Sequence, residues 1–279
     1  MTNFLIGADP ELFIKDKKTG NFLSAHDCLV GDKDSPYFVG DGAVQVDGVA
    51  AEFNIKPASN KEEFLSFIKS TRSFMESYIQ ETHPDAFLTA TPTATFTEEY
   101  FNNLPPEAVL LGCMPDFNAY SMKQNTPPET KEPFRTGGGH IHIGLGDVYD
   151  INNATHFENC AKIIRNLDCT LFVPSLVWDT DKKRRTLYGQ MGAFRPKSYG
   201  VEYRPLSNAF LDSDPIIELI YNNTIKTMDY YTQGVNLWDD APYSPETFLG
   251  DVSEDKVKDH ITYLEQKGFE NVFSKVSNQ

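Results

Sequence analysis

The chain is short of positive charge. It has 25 lysines and arginines against 40 aspartates and glutamates, a net charge of −15. Nucleic-acid and anionic-membrane partners need clustered positive charge, so neither is expected. No stretch approaches the roughly 18 apolar residues that a membrane-spanning helix requires. The cysteines (Cys28, Cys113, Cys160 and Cys169) form no CxxC pair and no zinc-finger spacing, and read as reduced thiols. Gly-x-x-x-x-Gly-Lys-Ser/Thr, the kinase catalytic-loop signature and Gly-x-Ser-x-Gly are all missing. Two phosphate-binding designs and a serine-hydrolase elbow are thereby excluded. The N-terminal residues lack the basic region and apolar core of a signal peptide, so a cytoplasmic protein is expected.

What is present fits one globular domain. The 279 residues, 40% of them hydrophobic, can bury a sizeable core. A single domain over 1–279 is expected, with 240–279 as a peripheral C-terminal helical segment. Strands are predicted over 4–14, 22–25, 43–46, 50–55, 87–96 and 201–206, with a short one near Val109. Helices are predicted over 60–81, 152–176, 214–234 and 253–267, and the proline-rich stretch 104–136 is mostly loop. Strands come in hairpin-like groups with helices between the groups. This favours an α+β fold with a mainly antiparallel sheet backed by helices.

The segment from Arg135 to Gly144 carries the most chemistry. Its His140-Ile-His142-Ile pattern has the period of a strand, so both imidazoles leave one face and both isoleucines the other. This presents nitrogen ligands to a metal, or forms a polar face on a half-buried sheet. The three preceding glycines admit a ligand, a metal or another backbone. Asp9 and Glu11 share a strand face, as do Glu52 and Asn54, and as do Glu202 and Arg204. Burying a carboxylate without a partner costs several kcal/mol, so acids on several strands call for a cation, and oxygen ligands suit Mg²⁺ or Mn²⁺. Asp41 and Asp47 sit beside glycines and read first as turn residues. Arg184, Arg185, Arg195 and Arg204 lie in a glycine-punctuated segment, and arginine forks pair with carboxylate and phosphate oxygens. Lys182 and Lys183 read as a solvated run. Metals bridging phosphates, with arginines offsetting charge, is the equipment of phosphoryl transfer.

Taken in order, Gly7-Ala-Asp-Pro-Glu11, Gly112-Cys-Met-Pro-Asp-Phe-Asn-Ala-Tyr120, the Phe134–Gly144 segment and Arg184–Arg195 continuing through Tyr199-Gly-Val-Glu-Tyr-Arg204 to Asn208 resemble the carboxylate–amine ligase superfamily. The resemblance is closest to the phage-type amidoligases of type 2. It implies a catalytic domain like that of glutamine synthetase, ATP and Mg²⁺ (or Mn²⁺) as cofactors, and an acyl phosphate that an amine converts to an amide. The expected partners are small molecules or peptides bearing a carboxylate and an amine, in the host cytoplasm if the gene is a phage's. By resemblance, Asp9, Glu11, Glu52, His140 and Glu202 bind metal. His142, Arg184, Arg185, Arg195 and Arg204 meet the nucleotide, and Arg195, Arg204 and Glu202 serve catalysis. Asp9 departs from the family's more frequent glutamate and is one methylene shorter. The chain lacks the separate N-terminal domain of glutamine synthetase, so a different oligomer is expected. Guanidino kinases share the scaffold, which makes a phosphotransferase the alternative, beside a nucleotide- or peptide-binding protein without catalysis.

Overall fold

The computed structural model of the protein describes residues 4–109, 116–126, 132–146 and 153–276. Cys113, Pro127, Pro128 and the expected helix start at 152 lie outside these. In chain order the strands are β1 (Leu5–Asp16), β2 (Phe22–Leu23), β3 (Tyr37–Val39), β4 (Gly42–Asp47), β5 (Ala50–Ile55), β6 (Ala86–Thr89), β7 (Thr93–Thr95), β8 (Phe117–Asn118), β9 (Lys123–Gln124), β10 (Phe134–Thr136), β11 (Gly139–Gly144), β12 (Ala193–Lys197) and β13 (Gly200–Tyr203). The helices are α1 (Lys61–Thr82), α2 (Glu98–Asn102), α3 (Pro106–Val109), α4 (His156–Leu167), α5 (Val173–Ser175), α6 (Lys182–Leu187), α7 (Asp214–Thr232), α8 (Glu254–Gln266) and α9 (Phe273–Val276).

The large sheet runs β3-β4-β5-β1-β11-β13-β12-β8-β9, with β2 and β6 also paired to β1. Its pairings among the described residues are antiparallel, as the α+β expectation required. β1 is central because both flanks of its acidic pair are apolar: Ile6, Leu12, Phe13 and Ile14 have no exposed surface. Alternation sets the faces. Phe53 and Ile55 of β5 and Ile141 and Ile143 of β11 are buried, each worth roughly 1.5–3 kcal/mol. Helix α1 packs on β4, β5 and β6, α4 packs on β12 and β13, and α7 lies against both helices. One sheet face is therefore covered, and the other is left for polar side chains.

Local chemistry explains α1. The Asn60 side chain accepts from the Glu63 N–H at 2.9 Å, and the Glu63 carboxylate reaches back to the Ser59 N–H at 2.9 Å. Phe64, Ile68, Thr71, Met75 and Ile79 form the buried stripe. Phe74 of α1 is 36% exposed and stacks on Tyr37 of β3, an edge strand absent from the sequence reading.

Further expectations change. The strand near Val109 is the helical turn α3, begun by Pro106, whose fixed φ suits a first turn. The Phe87–Phe96 strand splits into β6 and β7. The long helix after 152 starts at His156 and widens into a π turn over Asp168–Phe172 before α5. There the Tyr203 hydroxyl donates to buried Asp168 at 3.0 Å. Residues expected at the periphery, among them Phe248, Val257, Ile261 and Leu264, belong to the same buried cluster as the β11 isoleucines.

Arg184 is the largest buried polar exception. It has no exposed surface, and its guanidinium donates to the carbonyls of Pro205 at 2.7 Å and Leu206 at 2.8 Å. Replacing it by leucine removes the donor to the buried Pro205 carbonyl and leaves the Leu206 carbonyl with the Gly139 N–H alone. We expect Arg184→Leu to lower the unfolding free energy by about 3 kcal/mol, measured by urea denaturation. A change below about 0.5 kcal/mol would show that the guanidinium does not hold this segment.

Candidate functional site

Strand register assembles the site. Gln45 of β4 pairs with Glu52 of β5, which pairs with Glu11 of β1. Two residues earlier on β1, Asp9 pairs with His140 of β11. Two residues later on β11, His142 pairs with Glu202 of β13, and Glu202 with Arg195 of β12. Because side chains alternate, these residues form one polar row across six strands. The row floors a cleft of roughly 470 Å³, also lined by Lys33, Phe38, Asp47, Tyr188, Lys197, Tyr199 and Arg204.

At its centre, the Oδ1 of Asp9 lies 3.0 Å from His142 Nε2 and 3.3 Å from His140 Nδ1. Burial pushes the Asp9 carboxyl up, but the His142 and His140 imidazoles outweigh it and hold the group well below the usual range. Glu202 has no exposed surface. Burial and Asp9 act to raise it, and Arg204 with the two histidines brings it down to about 2. Arg204 binds Glu202 directly, donates to Asp116 at 3.2 Å and to the Tyr188 hydroxyl at 3.0 Å, and lies 3.3 Å from His140 Nδ1. Lys197 Nζ is 2.7 Å from the other Glu202 oxygen.

The two histidines differ. His140 is buried, and burial followed by the neighbouring Arg204 charge lowers it to about 4. His142 is raised, because Asp9 outweighs its burial. The Tyr199 hydroxyl meets His142 on Nδ1, which turns Nε2 inward. Asp9, His142 and Glu202 each offer a ligand atom within 4.8 Å of the others. The Asp9 Oδ1, His142 Nε2 and Glu202 Oε2 atoms are buried without an aligned hydrogen bond. Two carboxylates and an imidazole with ligand atoms this close fit a divalent cation such as Mn²⁺ or Mg²⁺, which would share Glu202 with Lys197. His140 was expected as the ligand and His142 as its neighbour; here the Arg204 guanidinium faces His140 Nδ1, and His142 is the histidine in this trio.

A second acidic group lies toward β4. Burial, then Asp47, raises Glu11 to about 7, although the Gly138 N–H donates to it at 2.8 Å. Burial, then Asp9, Asp47 and Glu11, raises Glu52 well above the carboxylate range. Asp47, read first as a turn residue, lies at the end of β4 and lines the cleft. Asp41 is indeed at a turn, 3.9 Å from Lys56.

Not every expected residue arrives. Arg184 points into the core, and Arg185 lies 3.5 Å from Asp179 and lines a different cavity, so neither reaches the cleft. The glycines before β11 admit the protein's own groups. A Cβ at Gly138 would fall 2.3 Å from His140 Nε2, and one at Gly139 would fall 2.4 Å from the Ser207 carbonyl. Lys33, Gln45, Asp116, Tyr188, Lys197 and Tyr199 were assigned no role from sequence. Lys197 was within reach, since it follows Arg195 by two on a strand whose Phe194 faces inward.

Residues 129–222 match the family model for phage phiEco32-like COOH.NH2 ligase-type 2. The match, about a third of the chain, supports the assignment to the amidoligase family. No curated protein matches the chain. The amidoligase stretch holds β11, β12 and β13 and thus His140, His142, Arg195, Glu202 and Arg204. Asp9, Glu11 and Glu52 lie outside it and are brought to it by strand pairing, with Asp9 against both histidines and the Gly138 N–H donating to Glu11.

The acids set an expectation for stability. A carboxyl raised by folding contributes stability that is present below its ordinary range and is lost as pH rises through the folded value. Glu11 moves from 4.5 to about 7, worth about 3 kcal/mol, and Glu52 acts in the same sense. His140 and His260, both near 4, act in the opposite sense, but their effect is complete by about pH 7. With EDTA present, the thermal midpoint should fall between pH 7 and 8.5. Mn²⁺ should remove part of that fall, and identical curves with EDTA and Mn²⁺ would mean that no cation offsets these acids.

Proposed function

We propose that the protein is an ATP-dependent carboxylate–amine ligase that forms an amide through an acyl phosphate and releases ADP and phosphate. The observation that carries this reading is the charge layout of one cleft. Basic Arg195, Lys197 and Arg204 line the β12–β13 side, acidic Glu11, Asp47 and Glu52 line the β1–β5 side, and the Asp9–His142–Glu202 trio lies between. Phosphoryl transfer to a carboxylate brings together groups that are all negative, and catalysis there is mainly positioning and offsetting of charge. Arg195 and Lys197 suit the donor phosphates and the substrate carboxylate. The acidic side suits the amine, which arrives as a cation, and a carboxylate near the top of its range there can take the proton the amine loses. A divalent cation held by Asp9, His142 and Glu202 would draw charge from the transferring phosphoryl oxygens. Phe134, Thr136 and Leu187 close part of the cleft wall and limit water around the acyl phosphate.

The test is ADP release and amide formation with a pool of amino acids and short peptides. ADP release that requires an amine and yields an amide supports the ligase. Phosphorylation without amide formation supports the phosphotransferase, and no turnover with any member of the pool supports a binding protein. Two variants probe the assignment. Arg195→Lys keeps the charge and loses the fork, so turnover should drop by on the order of 10²–10⁵ with a smaller change in ATP affinity. His142→Ala should weaken Mn²⁺ binding by on the order of 100-fold and more than His140→Ala does. The reverse order in a calorimetric titration would return the ligand role to His140.

A further inference from the structure

We infer that Tyr199 is a positioning residue that sets which His142 nitrogen faces the cation site, by holding the other nitrogen with its phenol oxygen. The inference rests on the reading of Asp9, His142 and Glu202 as a metal site. A histidine that ligates through Nε2 carries its proton on Nδ1, and that proton needs an acceptor. In this protein the Nδ1 partner is the Tyr199 hydroxyl, while Nε2 lies 3.0 Å from Asp9 and is buried with no aligned hydrogen bond. A phenol oxygen accepts from Nδ1–H when Nε2 is a ligand, and donates to Nδ1 when Nε2 bears the proton. A backbone carbonyl could do only the first.

The placement of Tyr199 does not depend on its ring. It ends the turn between β12 and β13, and its carbonyl accepts from the Leu145 N–H at 2.9 Å, just past β11. The next residue, Gly200, has φ +154° and lies so close to β11 that a Cβ there would fall 2.0 Å from the Ile143 carbonyl. Two backbone attachments thus fix Tyr199 beside the strand that carries His142. The ring itself is 46% exposed and lines the cleft mouth, 5.9 Å from the His142 ring at 40°. Little core packing depends on it, so losing the hydroxyl should spare the fold.

Mn²⁺ titration followed by electron paramagnetic resonance tests this on the full chain, with Tyr199→Phe, Tyr199→Ala and Asp9→Asn beside the wild type. Tyr199→Phe keeps the ring and loses only the oxygen. Both tyrosine variants should raise the Mn²⁺ dissociation constant by about 10–100-fold, and by similar amounts. The imidazole-nitrogen modulation in the pulsed spectrum of bound Mn²⁺ should weaken, while the circular-dichroism melting curve stays as in the wild type. If Tyr199→Phe binds Mn²⁺ as the wild type does with the same modulation, while Asp9→Asn does not, the metal site stands and the inference is overturned. If the wild type binds no Mn²⁺, or Asp9→Asn binds it equally well, the metal reading falls and this inference falls with it.

Discussion

Glu202 sits on a central strand with no exposed surface, and the rest of the site depends on how that charge is met. A carboxylate buried alone would cost several kcal/mol. Arg204, two residues along the same strand face, binds it directly, and Lys197 and Arg195 of the neighbouring strand lie 2.7 and 3.4 Å away. The same guanidinium reaches Asp116 before β8 and Tyr188 after α6. One ion pair therefore ties the strand to two loops at the cleft. Arg204 is thus committed to partners within the protein, and both it and Arg195 line the cleft.

The cleft is asymmetric for a topological reason. Sheet order places β1 and β11 between the β4–β5 hairpin and the β12–β13 hairpin. The first hairpin brings Gln45, Asp47 and Glu52, and the second brings Arg195, Lys197, Glu202 and Arg204. Opposite charges thus come from hairpins that are far apart in the chain. The histidines stand on β11, one of the two strands between the hairpins, so the trio proposed to hold a cation draws one residue from each of β1, β11 and β13.

Much of this was legible because it rests on period two. Asp9 with Glu11, His140 with His142 and Glu202 with Arg204 each declare a shared face, and all six meet at the site. Helix α1, predicted over 60–81, spans Lys61–Thr82. The failures have a common physical cause. Which of two histidines turns its free nitrogen inward depends on Tyr199 and Arg204, partners 57 and 64 residues away, and no local pattern reports them. Arg184 was expected at the nucleotide, whereas its guanidinium satisfies carbonyls that only the fold brings near. Edge strand β3 is three residues long, too short for alternation to show.

β13 also shows how one strand accommodates acids on both of its faces. On the cleft face, cations surround Glu202 and keep it ionised. On the helix face, the Tyr203 hydroxyl donates to Asp168 in the π turn. There burial dominates, and the hydrogen bonds from Tyr203, Tyr120 and Gly192 do not offset it, so Asp168 is pushed well above the carboxylate range. A neutral acid can be packed among apolar groups at modest cost, while a charged one needs counter-charges. The two solutions divide the work of the strand. The Tyr203–Asp168 hydrogen bond fastens β13 to the helix layer, and the charged network around Glu202 lies at the cleft, where a cation and a phosphorylated ligand would feel it. The π turn supplies the geometry for the first solution, since Asp168 begins the widened turn directly behind Tyr203.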